Sequence, residues 1–547
     1  MKEGFRQSMA WLHTYSGLLV GWVLFVVFAA GTASYFKDEI TFWMKPELHA
    51  ATFSALPQGE VVERAVHTLQ ERGPDAPRWF ITLPTEREPG VRATWTKPPP
   101  PKGQKPEPGR RRAETAMLDP ATGEKLADAR ETRGGEFLYR LHFDLHYMPA
   151  LWARWIVGVC AMFMLVAILS GIVTHRRIFA DFFTFRPKKG QRSWLDAHNA
   201  TAVLALPYHL MITYTGLVTL MFMYMPWGPQ AAYKGDNDKF FSEVFPSSGP
   251  RNAKPAGKPA ELVAIGPMVA QAEEAWGKGM IGRVTVNHPN DAAATVIVSR
   301  QDGLDMSSSQ PSMMFNGTTG AFVSKTGDAP GAGLETRGVL YGLHIGRFGN
   351  PFIRALFFLS GLAGCAMVAT GLLLWATKER PKHLKALAKG ERGSFALRLV
   401  DGLNIAAVAG LPIAMATFFW VNRLLPVPMA ERPQTEINLF FAAWAVSAVA
   451  GLAWPARRMW QVQLGVAAAL FAAIPLLNAA TTSSNLVHTI STGLWRVAGF
   501  DLVCLALGIT FGFCCWWLGR PKHVRKHAPA RQRESAPAPL NTSEATS

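Results

Sequence analysis

Cysteine is scarce in this chain, and where it falls excludes more than its number does. Cys160, Cys365, Cys504, Cys514 and Cys515 all lie inside long apolar runs, and the polar stretches between those runs contain none. A disulfide framework, a cysteine zinc cluster and a Cys-x-x-Cys-His attachment site are thereby excluded. Acidic residues are also few, 39 Asp and Glu against 56 Lys and Arg. No zinc finger, helix-turn-helix or RNA-binding signature accompanies the basic excess, so nucleic acid is not expected as a partner. The excess fits cytoplasmic loops and contact with anionic membrane lipids. Also missing are a Gly-x-x-x-x-Gly-Lys-Ser/Thr loop, a Gly-x-Gly-x-x-Gly after a strand and a His-Glu-x-x-His pair, which leaves no evident nicotinamide or flavin site.

Apolar sequence is what the chain has in quantity. Eight runs are long enough to cross a bilayer, at about 9–36, 151–174, 195–225, 351–376, 395–420, 437–455, 460–478 and 493–518. The first has the basic start and Ala-Gly-Thr-Ala-Ser end of a signal peptide. At about 28 residues it is too long for a signal h-region and suits a tilted span. Basic residues fall in alternate connections: Lys2 and Arg6; Arg176, Arg177, Arg186, Lys188, Lys189 and Arg192; Lys378, Arg380 and Lys382; Arg457 and Arg458; and Arg520 to Lys526. These segments are expected in the cytoplasm, with both termini inside.

The expected organisation is a polytopic all-α membrane protein of about eight transmembrane helices with two small α+β modules on the outer side. Residues 1–36 form the first span, 37–150 the first module, 151–175 the second span and 176–194 a cytoplasmic loop. The third span covers 195–225, the second module 226–350, the fourth span 351–377 and a further cytoplasmic loop 378–394. Four more spans occupy 395–519, and 520–547 reads as a disordered cytoplasmic tail. Each module offers a helix-period stretch, strand-like segments and a turn signal. The Pro-rich stretch from Lys97 to Arg112 interrupts the first as a solvated insertion.

An internal duplication underlies this order. Gly31 follows His13 by eighteen residues, and Gly216 follows His198 by the same interval. Tyr139-Arg-Leu-His142 introduces the second span as Tyr341-Gly-Leu-His344 introduces the fourth. Arg154 precedes Ser170-Gly171 by the spacing at which Arg354 precedes Thr370-Gly371. The two copies cover about 1–190 and 191–390. A third, degenerate copy keeps Asp401, Asn404 and Pro412 but has Leu403 and Ala414 where Asp196 to Pro207 and beyond carry His198 and His209.

Histidines inside membrane spans are rare and costly, which makes them functional candidates. On a straight helix His198 and His209 would lie within roughly 20° of one face and roughly 16 Å apart along the axis. Two imidazoles at two depths suit the ligation of two haems. His13 and His198, equivalent in the two copies, make an inner pair, and two nitrogen ligands on one iron favour electron transfer. His209 lies nearer the outer leaflet, with His344 or His142 as its partner. His146 is a further candidate there, and His175, beside Arg176 and Arg177, is one on the inner side. His488 reads as structural, and His49, His67 and His288 as surface residues. Anionic propionates need basic neighbours: Arg6, Arg176, Arg177 and Arg192 are placed to serve inside, and Arg140, Arg154, Arg347 and Arg354 outside. Two cofactors would divide a hydrocarbon core of about 30 Å into short steps.

These motifs together resemble a known family. Trp11-Leu-His13-x-x-x-Gly17, Leu195-Asp-x-His198, the paired Leu141-His142 and Leu343-His344, and the outer Asp119-Pro-x-Thr-Gly123 and Asn316-Gly-Thr-Thr-Gly320 are similar to PepSY-associated transmembrane proteins. The resemblance covers about residues 1–390; His146 has no counterpart in the second copy. It implies PepSY-like periplasmic modules, a bacterial inner membrane, two non-covalent b haems and reduction of a ferric siderophore or other ferric chelate. Electrons would come from a cytoplasmic donor or a quinol. The alternative is a non-enzymatic protein whose outer modules bind a peptide, a protease or an envelope partner. A proton-relay transporter is disfavoured because carboxylates in the spans are few, with Asp401 and Asp501 near the ends.

Overall fold

The computed structural model describes residues 4–49, 56–85, 87–98, 113–126, 129–175, 186, 189–244, 254–303 and 305–520. Arg176, Arg177, most of the Pro-rich insertion and the tail beyond Arg520 lie outside the described residues. Helix α1 (Phe5–Ser34) and the short α2 (Lys37–Trp43) lead to α3 (Gln58–Arg72) and strands β1 (Arg78–Thr82), β2 (Val91–Thr96) and β3 (Ala113–Leu118). Next come α4 (Gly134–Asp144), α5 (Ala150–Thr174), α6 (Gln191–Leu204) and α7 (Leu206–Thr219). Three short helices follow, α8 (Met221–Tyr224), α9 (Trp227–Tyr233) and α10 (Asn237–Val244). The second polar segment holds α11 (Gly266–Trp276), β4 (Ile281–Asn287), β5 (Thr295–Arg300), β6 (Ser312–Asn316), β7 (Phe322–Thr326) and α12 (Ala332–Ile345). The remainder is helical: α13 (Pro351–Ala388), α14 (Phe395–Asn404), α15 (Gly410–Leu424), α16 (Arg432–Ala453), α17 (Arg457–Ala472), α18 (Ile474–Thr481), α19 (Leu486–Ser491) and α20 (Trp495–Gly519).

Seven of these stretches are long and apolar enough to cross a membrane, and α6 with α7 makes an eighth if the bent pair is one span. The bend is 68° and corrects the straight-helix geometry expected for His198 and His209. Its cause is local. Pro207 has no N–H for the carbonyl of Val203, and its ring crowds that turn, so the helix restarts at Leu206. Pro412 sits at the matching place in the third motif, and there a π-helical turn at Ile405–Ala409 precedes it.

The polar segments do not form two separate modules. Strand β1 pairs antiparallel with β4 from Arg78↔Asn287 to Thr82↔Arg283, which fuses both segments into one seven-stranded sheet of order β3-β2-β1-β4-β5-β6-β7. The alternation of buried Trp79 and Ile81 on β1 sends one face into an apolar core. Helix α3 covers it with Val61, Val62, Ala65, Val66 and Leu69, a spacing that keeps one helical stripe inside, and α11 adds Met268, Val269 and Ala272. The two segments share this core, so neither half has one of its own.

In the membrane part α1 packs against α5, α13 and α4, α6 against α13, and α7 against α12 and α5. The helices after α14 form a second group, and α2 plugs into it through Trp43, which is fully buried. The indole N–H donates to Asp501 Oδ1 at 2.8 Å, the Arg423 guanidinium lies 3.9 Å from the ring centre, and Phe500 packs at 4.5 Å. Arg423 also donates to the Trp43 carbonyl at 2.6 Å. Trp43→Ala leaves a large cavity and strips Asp501 Oδ1 of its donor while Asn478 still donates to Oδ2, so a loss of about 3–5 kcal/mol is expected. Thermal unfolding of the detergent-solubilised variant measures it.

Candidate functional site

Four of the histidines singled out from the sequence meet as two pairs. His13 on α1 and His198 on α6 have ring centres 6.1 Å apart, and His142 on α4 and His344 on α12 have theirs 6.0 Å apart. The four rings are held in the same way. His13 Nδ1 bonds the carbonyl of Ala167 at 2.7 Å and His198 Nδ1 that of Met367 at 2.9 Å. His142 Nδ1 bonds the Val27 carbonyl at 2.7 Å and His344 Nδ1 that of Ile212 at 3.1 Å. A carbonyl only accepts, so Nδ1 carries the proton in each ring and Nε2 keeps its lone pair. Among the described residues no hydrogen bond reaches Nε2 of these four rings.

Each accepting carbonyl stands four residues before a glycine on the same helix: Gly171, Gly371, Gly31 and Gly216. A Cβ at Gly31 would lie 2.7 Å from His142 Nδ1, and one at Gly216 2.9 Å from His344 Cε1. At Gly171 and Gly371 it would lie 3.0 Å and 3.1 Å from Cε1 of His13 and His198. The glycines are therefore what lets an imidazole lie against the neighbouring helix backbone. Sequence spacing marked these glycines only as a repeat, and the structure shows that His13 touches Gly171 of α5, not Gly31 of its own helix.

The separation of the rings carries chemical information. With metal–nitrogen bonds of about 2.0–2.1 Å on either side, plus about 1.1 Å from each nitrogen to its ring centre, two imidazoles on opposite faces of one metal have centres about 6 Å apart. Both pairs meet that value, and Nδ1–H held by a carbonyl is the outer-shell arrangement that fixes a ligating histidine. The residues present fit a bis-histidine haem at each level. From His13 to Val27, which His142 bonds, α1 advances fourteen residues, or about 21 Å, so the levels lie further apart than the straight helix implied.

The His142–His344 pair, outer in the orientation expected from the loop charges, opens on a cavity of about 430 Å³ lined by His142, His344, Gly31, Gly216, Tyr35 and Tyr208 among others, a size suited to a bound organic group. The family described as the PepSY-associated TM region matches residues 10–378. The chain belongs to that family. An uncharacterized protein of Pseudomonas aeruginosa is also similar, 24% identical over 394 residues that cover 68% of this chain and 93% of that protein. Both histidine pairs and their four glycines lie inside the PepSY-associated region, whereas α14 to α20 lie beyond it.

The other sequence candidates occupy different places in this PepSY-associated chain. His209 belongs to neither pair. It is 1% exposed, lies 6.0 Å from Phe28 and 5.9 Å from Tyr208, and has no hydrogen bond on either ring nitrogen. The 68° bend separates it from the direction of His198. His146 stacks on Phe441 of α16 at 5.5 Å, in a run of positive φ from Leu145 to Tyr147. His175 ends α5, its N–H donating to the Gly171 carbonyl. Arg176 and Arg177 are outside the described residues. Arg154 and Arg354 line the outer cavity, each already paired, with Asp144 at 2.8 Å and with Glu39 at 2.7 Å. Lys37, Arg87, Arg140 and Arg347 line it too. His49 is no surface residue: it bonds Ser484 at 2.8 Å and the Phe42 carbonyl at 2.9 Å.

Burial sets the charge of the outer pair. It lowers His142, against the pull of the Val27 carbonyl, and together with the charge of His142 pushes His344 down to about 3. Both rings are thus neutral at pH 7, as ligation requires. Unfolded histidines titrate near 6.5, so the unfolded chain binds more protons below that pH. The stability these rings contribute is complete above 6.5 and is lost as pH falls towards 3. The expected result is a melting temperature that drops across this window in the haem-free protein and drops less in His142→Gln/His344→Gln.

Proposed function

We propose that this chain is a di-haem b membrane protein that passes electrons across the bacterial inner membrane and reduces ferric chelates, ferric siderophores foremost, at its periplasmic face. The observation that carries this reading is the doubled arrangement in which two imidazoles, each anchored by Nδ1 to a helix carbonyl and each lying on a glycine, have ring centres about 6 Å apart. When bound, haem supplies a one-electron couple at iron. His13 and His198 would hold one iron, and His142 and His344 the other. The carbonyls of Ala167, Met367, Val27 and Ile212 keep the ring protons on Nδ1 and so keep Nε2 available. Arg154 and Arg354 lie beside the outer cavity for propionate charge.

In this reading the pairs descend from a duplicated span–segment–span unit, one histidine of each pair coming from each copy. The sheet domain stands in the periplasm, both termini face the cytoplasm, and the electron donor is a cytoplasmic protein or a quinol. The test is electron transfer by the full chain in proteoliposomes, with a reductant enclosed and a ferric hydroxamate outside. Ferrous iron trapped outside by a ferrous-specific dye supports the proposal. Its appearance at the rate of protein-free vesicles would refute it.

A further inference from the structure

The sheet face turned away from α3 and α11 carries a row of side chains fixed by register. Ile81, Val91, Ala93 and Val284 point into the apolar core, so Thr82, Arg92 and Arg283 point the other way. Thr82 pairs with Arg92 on one side and with Arg283 on the other, which puts both arginines in line across β2, β1 and β4. Arg347, beyond the end of α12, joins them and also lines the outer cavity. The acids nearby are already used. Glu88 binds Arg92, Asp302 binds Arg347, Glu39 is held between Arg87 and Arg354, and Asp38, whose charge also reaches Arg92 and Arg347, pairs with Arg87. Among the described residues the Arg283 guanidinium has no ion-pair or hydrogen-bond partner, and its charged neighbours are mostly of its own sign.

Like charges gathered on a rigid sheet beside a cavity are costly unless an anion joins them, and a planar guanidinium suits carboxylate oxygens. We infer that Arg283, with Arg92 and Arg347, binds the carboxylates of an anionic metal chelate on this sheet face, next to the cavity that Arg347 lines. This rests on the proposed reductase reading for its substrate, though not for the existence of the site. A haem propionate offers the same carboxylate chemistry, and the experiment separates the two.

The probe is gallium(III) citrate, which carries the negative charge but does not accept an electron. It is titrated calorimetrically into the full chain in phosphatidylcholine nanodiscs. Binding is expected to weaken as salt rises, to fall about tenfold or more in Arg283→Ala and further in Arg283→Glu, and to lie between wild type and Arg283→Ala in Arg283→Lys, which keeps the charge and loses the planar fork. Haem content is expected to be the same in all four proteins. The inference is overturned if Arg283→Glu binds the probe like wild type, or if Arg283→Ala loses haem while still binding it. A colourless chain that binds gallium citrate through Arg283 would end the haem reading and leave this site standing. A haem-loaded chain indifferent to Arg283 would do the reverse.

Discussion

Leucine in place of His344 is expected to take the haem content of the purified chain from two per polypeptide to one. His142 would then face no second imidazole, and leucine offers no lone pair in its stead. The inner pair, about 21 Å away along α1, shares none of the contacts that hold His344, so its occupancy should persist. His13→Leu is the mirror experiment: it should also leave one haem, now the outer one. His209→Leu separates this arrangement from one that stacks ligands on the third span. His209 is in neither pair, so its loss should leave two haems. Haem extracted per milligram of protein distinguishes these outcomes, and a His209→Leu protein with one haem would contradict the pairing.

The second large effect comes from a residue that ligates nothing. Alanine favours a helix interior over glycine by about 1 kcal/mol, so Gly31→Ala should stabilise α1 on propensity alone. Its new Cβ would instead lie 2.7 Å from His142 Nδ1 and 2.8 Å from its Cε1. The ring cannot retreat without giving up its bond to the Val27 carbonyl. Disturbing an outer-shell partner of this kind typically weakens metal binding about 10–100-fold, and outer-haem affinity should fall by that order. Gly17→Ala is the internal control. It lies on the same helix, nothing stands within 4 Å of its Cβ, and the propensity gain should appear there unopposed. Haem retention after dilution or competition with apomyoglobin measures both. Equal retention in the two variants would show that the glycine is not what seats the ring.

Local chemistry explains which features were legible in the sequence. A membrane span needs a long apolar run and an amphipathic helix needs a periodic stripe, so α1, α5, α13 and α3 could be read directly. The strand-like segments of the polar stretches were visible from their alternation. What failed was non-local. Pairing of β1 with β4 joins residues about two hundred positions apart, and nothing in either strand announces its partner, so two modules were expected where one sheet exists. The bend at Ala205 was within reach, since Pro207 stands in the quoted motif, yet a span was assumed to be straight.

The histidines divide on the same line. Their repeated spacing could be read directly, and His13 and His198, expected as a pair, have ring centres 6.1 Å apart, whereas the depths drawn from a straight helix did not survive the bend. That His142 and His344 meet each other, leaving His209 outside both pairs, depends on how α4 and α12 fold back over α1 and α7. That packing is tertiary. The glycines were visible as a repeat, but their role required seeing whose ring lies on whose helix. Trp43 and the socket around it carried no local signal: a tryptophan at the end of a short helix reads as an interfacial residue until Asp501 and Arg423 are found beside it.

The account stands or falls on the optical spectrum of the purified wild-type chain, recorded oxidised and then reduced, together with haem counted per polypeptide. Two b-type haems per chain with the bands of iron held by two imidazoles are what the paired rings predict. A haem-replete expression host that yields colourless protein would contradict it.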